Sequence, residues 1–170
     1  MQAKFLARCA LFSALMCICA WISVPLGNYN FTLQSFALLL ALFVLGGKGA
    51  TVSTAVYLLL GIVGLPVFSG FRGGFGMLLG ITGGYLWGFL IACLIFWAIT
   101  AIFGEKAKIY AGIAAMVSVY VCGTIWFSVY APGALIPILA QSVLPYLLPD
   151  AVKFLLAFSL SGKLRKLLPA

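Results

Sequence analysis

Charged residues are scarce in this chain of 170 residues, where only 7% of positions are Asp, Glu, Lys or Arg. A soluble domain carries about 25% charged residues and uses them to keep its surface in water. Apolar residues make up 65% of the sequence, more than a chain of this length can bury in a soluble core. The composition therefore predicts an integral membrane protein with one domain, residues 1–170.

Histidine is absent, and the acidic residues are limited to Glu105 and Asp150. Paired-carboxylate acid–base catalysis and a Ser–His–Asp triad are therefore unavailable, which argues against a hydrolase or a metalloenzyme. The sequence also lacks a phosphate loop, in which GxxxxGK is followed by Ser or Thr. We expect neither enzymatic activity nor a bound cofactor or metal ion.

The five cysteines are dispersed through apolar stretches, and Cys17 and Cys19 point to different faces of a helix, unlike a metal-binding pair. We interpret all five as small, reduced core residues. A net charge of +8 is compatible with nucleic-acid binding, but the basic residues lie singly or in short clusters beside apolar runs. Membrane topology explains them better, so we expect no nucleic-acid partner.

Turn signals divide the sequence into six apolar blocks. The blocks are Phe5 to Val24, Thr32 to Leu45, Ala50 to Leu65, Met77 to Phe103, Ile109 to Tyr130, and Leu148 to Leu160. The first block resembles a signal peptide because basic residues lie at the start of its apolar run. It is about 20 residues long, however, and no A-x-A cleavage site ends it, so we interpret it as a first transmembrane helix.

Six spans place both termini on one side of the membrane. If that side is the cytoplasm, eight basic residues lie inside: Lys4, Arg8, Lys48, Lys106, Lys108, Lys163, Arg165 and Lys166. Arg72 is then left in an outer loop and Lys153 within a span, which matches the excess of Lys and Arg in cytoplasmic loops. The sequence thus predicts an all-α membrane protein, a six-transmembrane-helix bundle with cytoplasmic N and C termini.

Asp150 and Lys153 are the only opposite-charge pair at helical spacing inside an apolar segment. Positions i and i+3 share a helix face, so the pair presents an acceptor and a donor at one spot. Ionisable groups at membrane depth cost roughly 2.5 to 3.5 kcal/mol each and tend to mark ligand or ion sites. An ion pair that only ties helices together is the alternative interpretation.

The position of this pair in the membrane follows from its neighbours. Only nine residues separate Lys153 from Lys163. They span about 14 Å of helix against a hydrocarbon core of about 30 Å. Proline is well tolerated in the first turn of a helix, so we predict a helix that begins near Pro149. Asp150 is then expected in the outer half of the membrane, at an interrupted helix that faces a cavity.

Gly76, Gly80, Gly84 and Gly88 recur every fourth residue, which predicts a smooth ridge on the fourth helix. Helix packing alone is the simpler interpretation of this ridge, and close approach of a ligand is the other. Just upstream, Arg72 lies in a Gly-rich outer loop. We expect that loop to act as a mobile lid whose single cation attracts an anionic ligand.

A stripe of small residues, the alanine stripe, follows one face of the first helix near its cytoplasmic end: Ala3, Ala7, Ala10 and Ala14. Such a stripe predicts close docking of another helix, either from this chain or from a separate subunit.

Polar residues cluster where the second helix begins on the outer side: Asn30, Thr32 and Gln34. These side chains can reach a ligand pocket. Capping of the helix by Asn30 or Thr32 is an equally good explanation.

Three segments together resemble the BioY family, the biotin-binding S components of energy-coupling factor (ECF) transporters. They follow the family order along the chain and are FTLQSF (Phe31 to Phe36), GLPVFSGFRGGFGMLLGITGGYLWGF (Gly64 to Phe89) and PDAVKFLLA (Pro149 to Ala157). The central motif is long and specific. One departure is Ile81, where the family pattern has proline before the TGGY run.

The resemblance implies a six-helix substrate-capture subunit that delivers biotin to one transmembrane coupling protein and two ATP-binding subunits. The chain itself would bind no ATP. In the family the Asp and Lys of the sixth helix contact biotin, which corresponds to Asp150 and Lys153. The small-residue surface for docking on the coupling protein is best matched by Ala10 and Ala14.

Biotin has an apolar bicycle, a ureido group and a carboxylate tail. A carboxylate beside an ammonium can match the ureido donors and acceptor, while Phe68 and Tyr85 cover the ring. Thr82 belongs to the same TGGY run as Tyr85 and joins the candidates. Arg72 or Lys153 would meet the tail carboxylate.

Two further hypotheses remain at this point. One is an S component for a different vitamin, against which the TGGY-centred motif argues. The other is a purely structural membrane subunit, which predicts that Asp150→Asn or Lys153→Ala affects stability without affecting ligand affinity.

Overall fold

A computed structural model describes residues 2–26, 29–130 and 143–167, with the backbone alone at residues 25, 26, 29 and 30. This part of the chain forms six α-helices, a β-hairpin and a 3-10 turn. The elements are α1 (Gln2–Trp21), β1 (Ser23–Leu26), β2 (Tyr29–Thr32), α2 (Gln34–Ile62), α3 (Gly76–Leu79), α4 (Gly83–Phe103), the 3-10 turn Glu105–Ala107, α5 (Lys108–Tyr130) and α6 (Leu144–Leu167). All the helices except α3 are long and apolar enough to cross a membrane.

Helix α2 is broken at Gly46, whose backbone angles are φ 75° and ψ 178°. Glycine adopts this conformation readily because it has no Cβ. The Gln34 side-chain amide donates a hydrogen bond to the Tyr57 hydroxyl. A straight helix would separate these positions by about 35 Å. Residues 34–45 and 47–62 therefore run antiparallel, and the break lies between the second and third predicted blocks, which ended at Leu45 and began at Ala50.

A β-hairpin follows α1, so the expectation of an entirely α-helical chain is wrong here. Helix α1 ends at Trp21 rather than at Val24. Strands β1 and β2 pair antiparallel, with Ser23 opposite Thr32. Proline lacks a backbone N–H and does not continue a helix, so Pro25 favours an extended segment at this point. The Gly-Asn dipeptide between the strands is a hairpin signal that the sequence analysis did not use.

The predicted fourth block, Met77 to Phe103, is divided into α3 and α4, because Gly80 adopts an extended conformation between them. The glycine ridge is therefore not continuous. Gly84 and Gly88 lie in α4 and face α5, where a Cβ would collide with Trp126 or lie 3.1 Å from the Cα of Val119. At these two positions the glycines allow close helix packing.

Helix α6 begins at Leu144 and contains Pro149, so the predicted start near Pro149 is wrong. The first four N–H groups of a helix have no partner inside the helix. Pro149 lies beyond that first turn, so its missing N–H removes one backbone hydrogen bond of the helix. Asp150 consequently lies in the second turn of the helix. Residues 131–142, which belong to the segment between the fifth and sixth predicted blocks, lie outside the described part.

Interhelical contacts hold α2 at the centre of the protein. The Ser13 hydroxyl of α1 donates to the Ser53 carbonyl of α2 at 2.7 Å. On the other side, the Phe43 ring makes edge contacts with Phe154 and Phe158 of α6, at centroid distances of 5.3 and 5.4 Å. These contacts hold the first half of α2, residues 34–45, against α6, and the polar groups described below meet at the start of that half.

Candidate functional site

A cavity of about 280 Å³ lies at the end of the bundle where β2 leads into α2. Small-molecule pockets start at about 300 Å³ and combine apolar walls with a few convergent polar groups. The lining residues come from β2, from all helices except α1, and from the loop after α2. They are Phe31, Thr32, Gln34, Ser35, Phe68, Ser69, Arg72, Met77, Thr82, Tyr85, Leu86, Phe89, Met116, Val119, Tyr120, Tyr146, Asp150 and Lys153.

Lys153 is buried in the wall of this cavity, with 6% of its surface exposed. Its Nζ donates to Asp150 Oδ1 at 2.7 Å, to the Thr32 carbonyl at 2.7 Å and to Ser35 Oγ at 2.9 Å. An ammonium has three N–H donors, so protein acceptors use all of them. The charge also lies 3.9 Å from the centroid of the Phe31 ring, a favourable cation–π contact. Lys153 is therefore held in one position by groups from β2, α2 and α6.

Asp150 connects three helices through its two carboxylate oxygens. Oδ1 accepts hydrogen bonds from Lys153 and, at 2.8 Å, from Ser35 of α2. Oδ2 accepts a hydrogen bond from the Tyr120 hydroxyl of α5. A carboxylate offers about four acceptor positions, and these described residues fill three of them. The pair thus ties helices together and also lines the cavity. The same two residues therefore make a structural contact and lie where a ligand can bind.

Tyr146, Asp150 and Lys153 follow one another at i, i+4 and i+7 on the cavity face of α6. The Tyr146 ring stacks on Phe31 with a centroid distance of 6.5 Å and an interplanar angle of 16°. Its hydroxyl oxygen is buried and has no hydrogen-bond partner among the described residues. The aromatic wall formed by Phe31 and Tyr146 therefore lies directly beside the charged pair.

Thr32 and Gln34 form a second polar group at the start of α2. The Thr32 hydroxyl donates to Gln34 Oε1 at 3.1 Å and accepts from the Gln34 backbone N–H at 3.4 Å. Thr32 thus bonds to the first residue of the helix and lines the cavity as well. The N-cap position is Leu33, however, and no side chain caps it, so capping by Thr32 is not what the structure has.

The loop between α2 and α3 covers one side of the cavity. Phe68 is buried and packs edge-on against Tyr57, and its N–H donates to the Arg72 carbonyl at 2.9 Å. The exposed Phe71 has a positive φ of 57° and stacks on Trp21, whose indole N–H donates to the Pro66 carbonyl. The Arg72 side chain lies at the rim of the cavity. Movement of this loop as a lid stays a prediction.

Eight of the predicted substrate-binding residues line the same cavity, although they come from six different parts of the chain. They are Thr32, Gln34, Phe68, Arg72, Thr82, Tyr85, Asp150 and Lys153. The side chain of Asn30, the ninth candidate, lies outside the described part of the structure. Contact of any of these residues with a ligand stays a prediction.

Four polar residues of the cavity were not predicted from the sequence, namely Ser35, Ser69, Tyr120 and Tyr146. Tyr146 precedes Asp150 by one helical turn, a spacing that was available from the sequence but was hidden by the wrong helix start. Ser35 and Tyr120 are 115 and 30 residues away from Asp150 in the chain. No local pattern connects residues so far apart, so only the packing of α2 and α5 against α6 identifies them.

The alanine stripe of α1 faces outward: Ala3, Ala7, Ala10 and Ala14 are all exposed. The opposite face of the helix, with Phe12 and Met16, packs into the core. Within the described part of the chain, the stripe therefore does not serve internal packing.

A second cluster of charges lies away from the cavity, around the 3-10 turn. Glu105 accepts a hydrogen bond from Arg165 Nη1 at 2.9 Å and pairs with Lys108. Arg165 Nε also donates to the Phe43 carbonyl at 2.6 Å, close to the break in α2. On the other side of that break, the Lys48 ammonium lies 6.0 Å from the centroid of the Phe5 ring of α1. The basic residues near the chain ends and the α2 break are thereby associated with one end of the bundle.

Comparison with known proteins gives a consistent assignment. The BioY family model matches residues 1–170. A biotin transporter BioY of Thermotoga maritima is 35% identical over 95% of this chain and 96% of its own length. A probable biotin transporter BioY of Pyrococcus horikoshii is 36% identical over 97% of this chain and 98% of its own length. Among solved structures, the S-component for biotin from an ECF-type ABC transporter matches with a TM-score of 0.87 and 26% identity, over 97% of this chain and 92% of that one.

Proposed function

This chain belongs to the BioY family, and we propose that it is the biotin-binding S component of an ECF-type ABC importer. It is a multi-pass protein of the plasma membrane that captures biotin in its cavity and delivers it to an ATP-driven coupling module. Such a subunit binds and transfers its vitamin unchanged, so its activity is transport rather than catalysis. The observation that carries the proposal is the buried Asp150–Lys153 pair lining a cavity in a chain that matches biotin transporters over nearly its full length.

The cavity chemistry supports biotin as the ligand. The ureido group of biotin has two N–H donors and one acceptor, and the remaining acceptor position of Asp150 Oδ2 suits one of these donors. Lys153 orients the Asp150 carboxylate through its hydrogen bond to Oδ1, and its positive charge favours the ureido oxygen nearby. Phe68 and Tyr85 cover the apolar bicycle. Thr32, Gln34, Asn30 and Thr82 complete the polar edge of the site.

Arg72 is assigned to the carboxylate tail of biotin. The residue lies at the rim of the cavity, and among the described residues its side chain has no ion-pair partner. A guanidinium can bind a carboxylate through two parallel hydrogen bonds. The ureido group then lies at Asp150, inside the cavity, and the tail points towards the rim.

We further propose six transmembrane segments with cytoplasmic N and C termini. The antiparallel halves of α2 count as two segments, and α1, α4, α5 and α6 supply the other four. The basic residues associated with the α2 break and the 3-10 turn then face the cytoplasm, in agreement with the positive-inside rule. The cavity opens to the outside, where biotin is captured.

The alanine stripe is proposed to dock on the transmembrane coupling protein, which in turn is joined to two ATP-binding subunits. Ala10 and Ala14 are the central positions, flanked by Ala3 and Ala7. Small side chains let two helix backbones approach closely in a bilayer, where packing contacts rather than hydrophobic transfer drive association. Their outward orientation supports this role.

An equilibrium titration of the detergent-purified chain tests the central proposal. We expect saturable binding of biotin and no comparable binding of other vitamins in a parallel screen. Preference for another vitamin would identify an S component of different specificity. Absence of binding to any of them would leave a structural membrane subunit.

A further inference from the structure

The buried hydroxyl of Tyr146 is the feature of the cavity that the proposed function leaves unexplained. Its oxygen is inaccessible to solvent and has no hydrogen-bond partner among the described residues. Buried hydroxyls are nearly always hydrogen-bonded, because burial without a partner forfeits the bonds that the group makes in water. Because Tyr146 lines the cavity, a turn of its ring towards a bound ligand would give this hydroxyl a partner.

The charged pair beside Tyr146 has little hydrogen-bonding capacity to spare beyond one acceptor position on Asp150. All three protons of the Lys153 ammonium are donated to protein oxygens. Asp150 Oδ2 already accepts from Tyr120, and Asp150 is an acceptor only. The Tyr146 hydroxyl, in contrast, offers both a donor and an acceptor.

The position of Tyr146 also suits a second contact with the same ligand. It lies on α6 one turn before Asp150, about 6 Å along the helix axis. Its ring stacks on Phe31, which in turn lies under the Lys153 ammonium.

We propose that the Tyr146 hydroxyl makes a direct hydrogen bond to bound biotin and so determines affinity and specificity together with Asp150. The inference rests on the proposed function, since it names a further ligand-binding residue of the same cavity. Removing the hydroxyl should have opposite effects on the two states of the protein. The empty form loses a buried unpaired group, whereas the biotin complex loses a hydrogen bond.

The test compares Tyr146→Phe with the wild-type protein by biotin titration and by thermal unfolding without ligand. We expect the Kd for biotin to rise about tenfold and the melting temperature of the empty protein to stay equal or increase. A Kd within threefold of the wild-type value would overturn the proposal. A lower affinity together with a clearly lower melting temperature of the empty protein would also overturn it, because that result indicates a packing role.

Thr124→Val is the matched control. The Thr124 hydroxyl of α5 is likewise buried and without a partner among the described residues, but Thr124 does not line the cavity. Its removal should leave the Kd for biotin unchanged. An equal loss of affinity in both variants would contradict a direct contact at Tyr146.

Failure of the wild-type protein to bind biotin would refute the proposed function itself, whereas equal binding by wild type and Tyr146→Phe refutes only this inference.

Discussion

The two charged clusters of this protein have the same chemistry in different surroundings. At the cavity, the side chains of Lys153 and Asp150 are 7% and 12% exposed. At the other cluster, Glu105 is 70% exposed, and its partners Arg165 and Lys108 are 37% and 12% exposed. Removing one partner of a buried pair costs about 3 to 5 kcal/mol, whereas an exposed pair contributes about 0 to 1 kcal/mol. The surroundings, rather than the pairing, determine which cluster is sensitive to substitution.

Sequence spacing does not distinguish the two clusters. Asp150 and Lys153 are three residues apart, and so are Glu105 and Lys108. The difference visible in the sequence is the context, since the first pair lies within an apolar segment and the second follows Gly104 at a helix boundary. This context correctly identified the pair that lines the cavity.

The largest expected effect comes from neutralising one partner of the buried pair. Asp150→Asn leaves the Lys153 ammonium without its counter-ion, and Lys153→Ala leaves the carboxylate without its cation. We expect either variant to lower biotin affinity about 30-fold or more, at least ~2 kcal/mol. Titration of the purified variants measures this loss, and thermal unfolding verifies that they are folded.

A double variant provides a second test that does not depend on whether the single variants fold. Asp150→Leu combined with Lys153→Met removes both charges and leaves no unpaired ion, so we expect it to fold. Wild-type biotin affinity in this variant would show that the pair has only a structural role.

The next prediction separates the cavity from the alanine stripe on α1. Ala10→Trp or Ala14→Trp adds bulk to an exposed face, and we expect more than tenfold less complex with the coupling protein in a co-purification assay. Biotin affinity should not change, because α1 contributes no residue to the cavity. Leu11→Trp is the control, since Leu11 is 60% exposed on a neighbouring face of α1. Equal assembly of all these variants would assign the stripe to contact with lipid.

A smaller effect is expected at Tyr120, which orients the carboxylate of Asp150 without being charged itself. Tyr120→Phe removes one hydrogen bond to a carboxylate and should weaken biotin binding five- to tenfold, or about 1 to 1.5 kcal/mol. Tyr110→Phe serves as the control, because Tyr110 is 74% exposed on the same helix. A Tyr120→Phe variant that binds biotin as tightly as the control would exclude Tyr120 from the site.

The smallest effect is expected at the exposed cluster. Glu105→Gln should lower the free energy of unfolding by less than about 1 kcal/mol, and added salt should reduce that difference further. Biotin affinity should remain at the wild-type level. Thermal unfolding in detergent at low and high salt, together with one titration, measures both. A marked loss of biotin binding would mean that the two clusters are energetically coupled.

Much of the fold was accessible from local sequence patterns, and the errors lie at the ends of elements. The break between the second and third predicted blocks and the apolar character of the spans were predicted correctly, because hydropathy and glycine act locally. The β-hairpin, the interruption at Gly80 and the helical continuation through Pro149 were not predicted. At each of these points, neighbouring elements or the position within a helix change the backbone conformation that the residue type alone favours.

By itself, the sequence determined that the protein lies in a membrane, which charged pair lies within an apolar segment, and which family the chain resembles. These are properties of composition and of residues close together in the chain. Tertiary structure alone decided that α2 folds back at Gly46, so that Gln34 reaches Tyr57, and that Ser35 and Tyr120 meet at Asp150. A polar residue in an apolar helix has no local signal for its partner, because that partner is selected by the packing of helices distant in sequence.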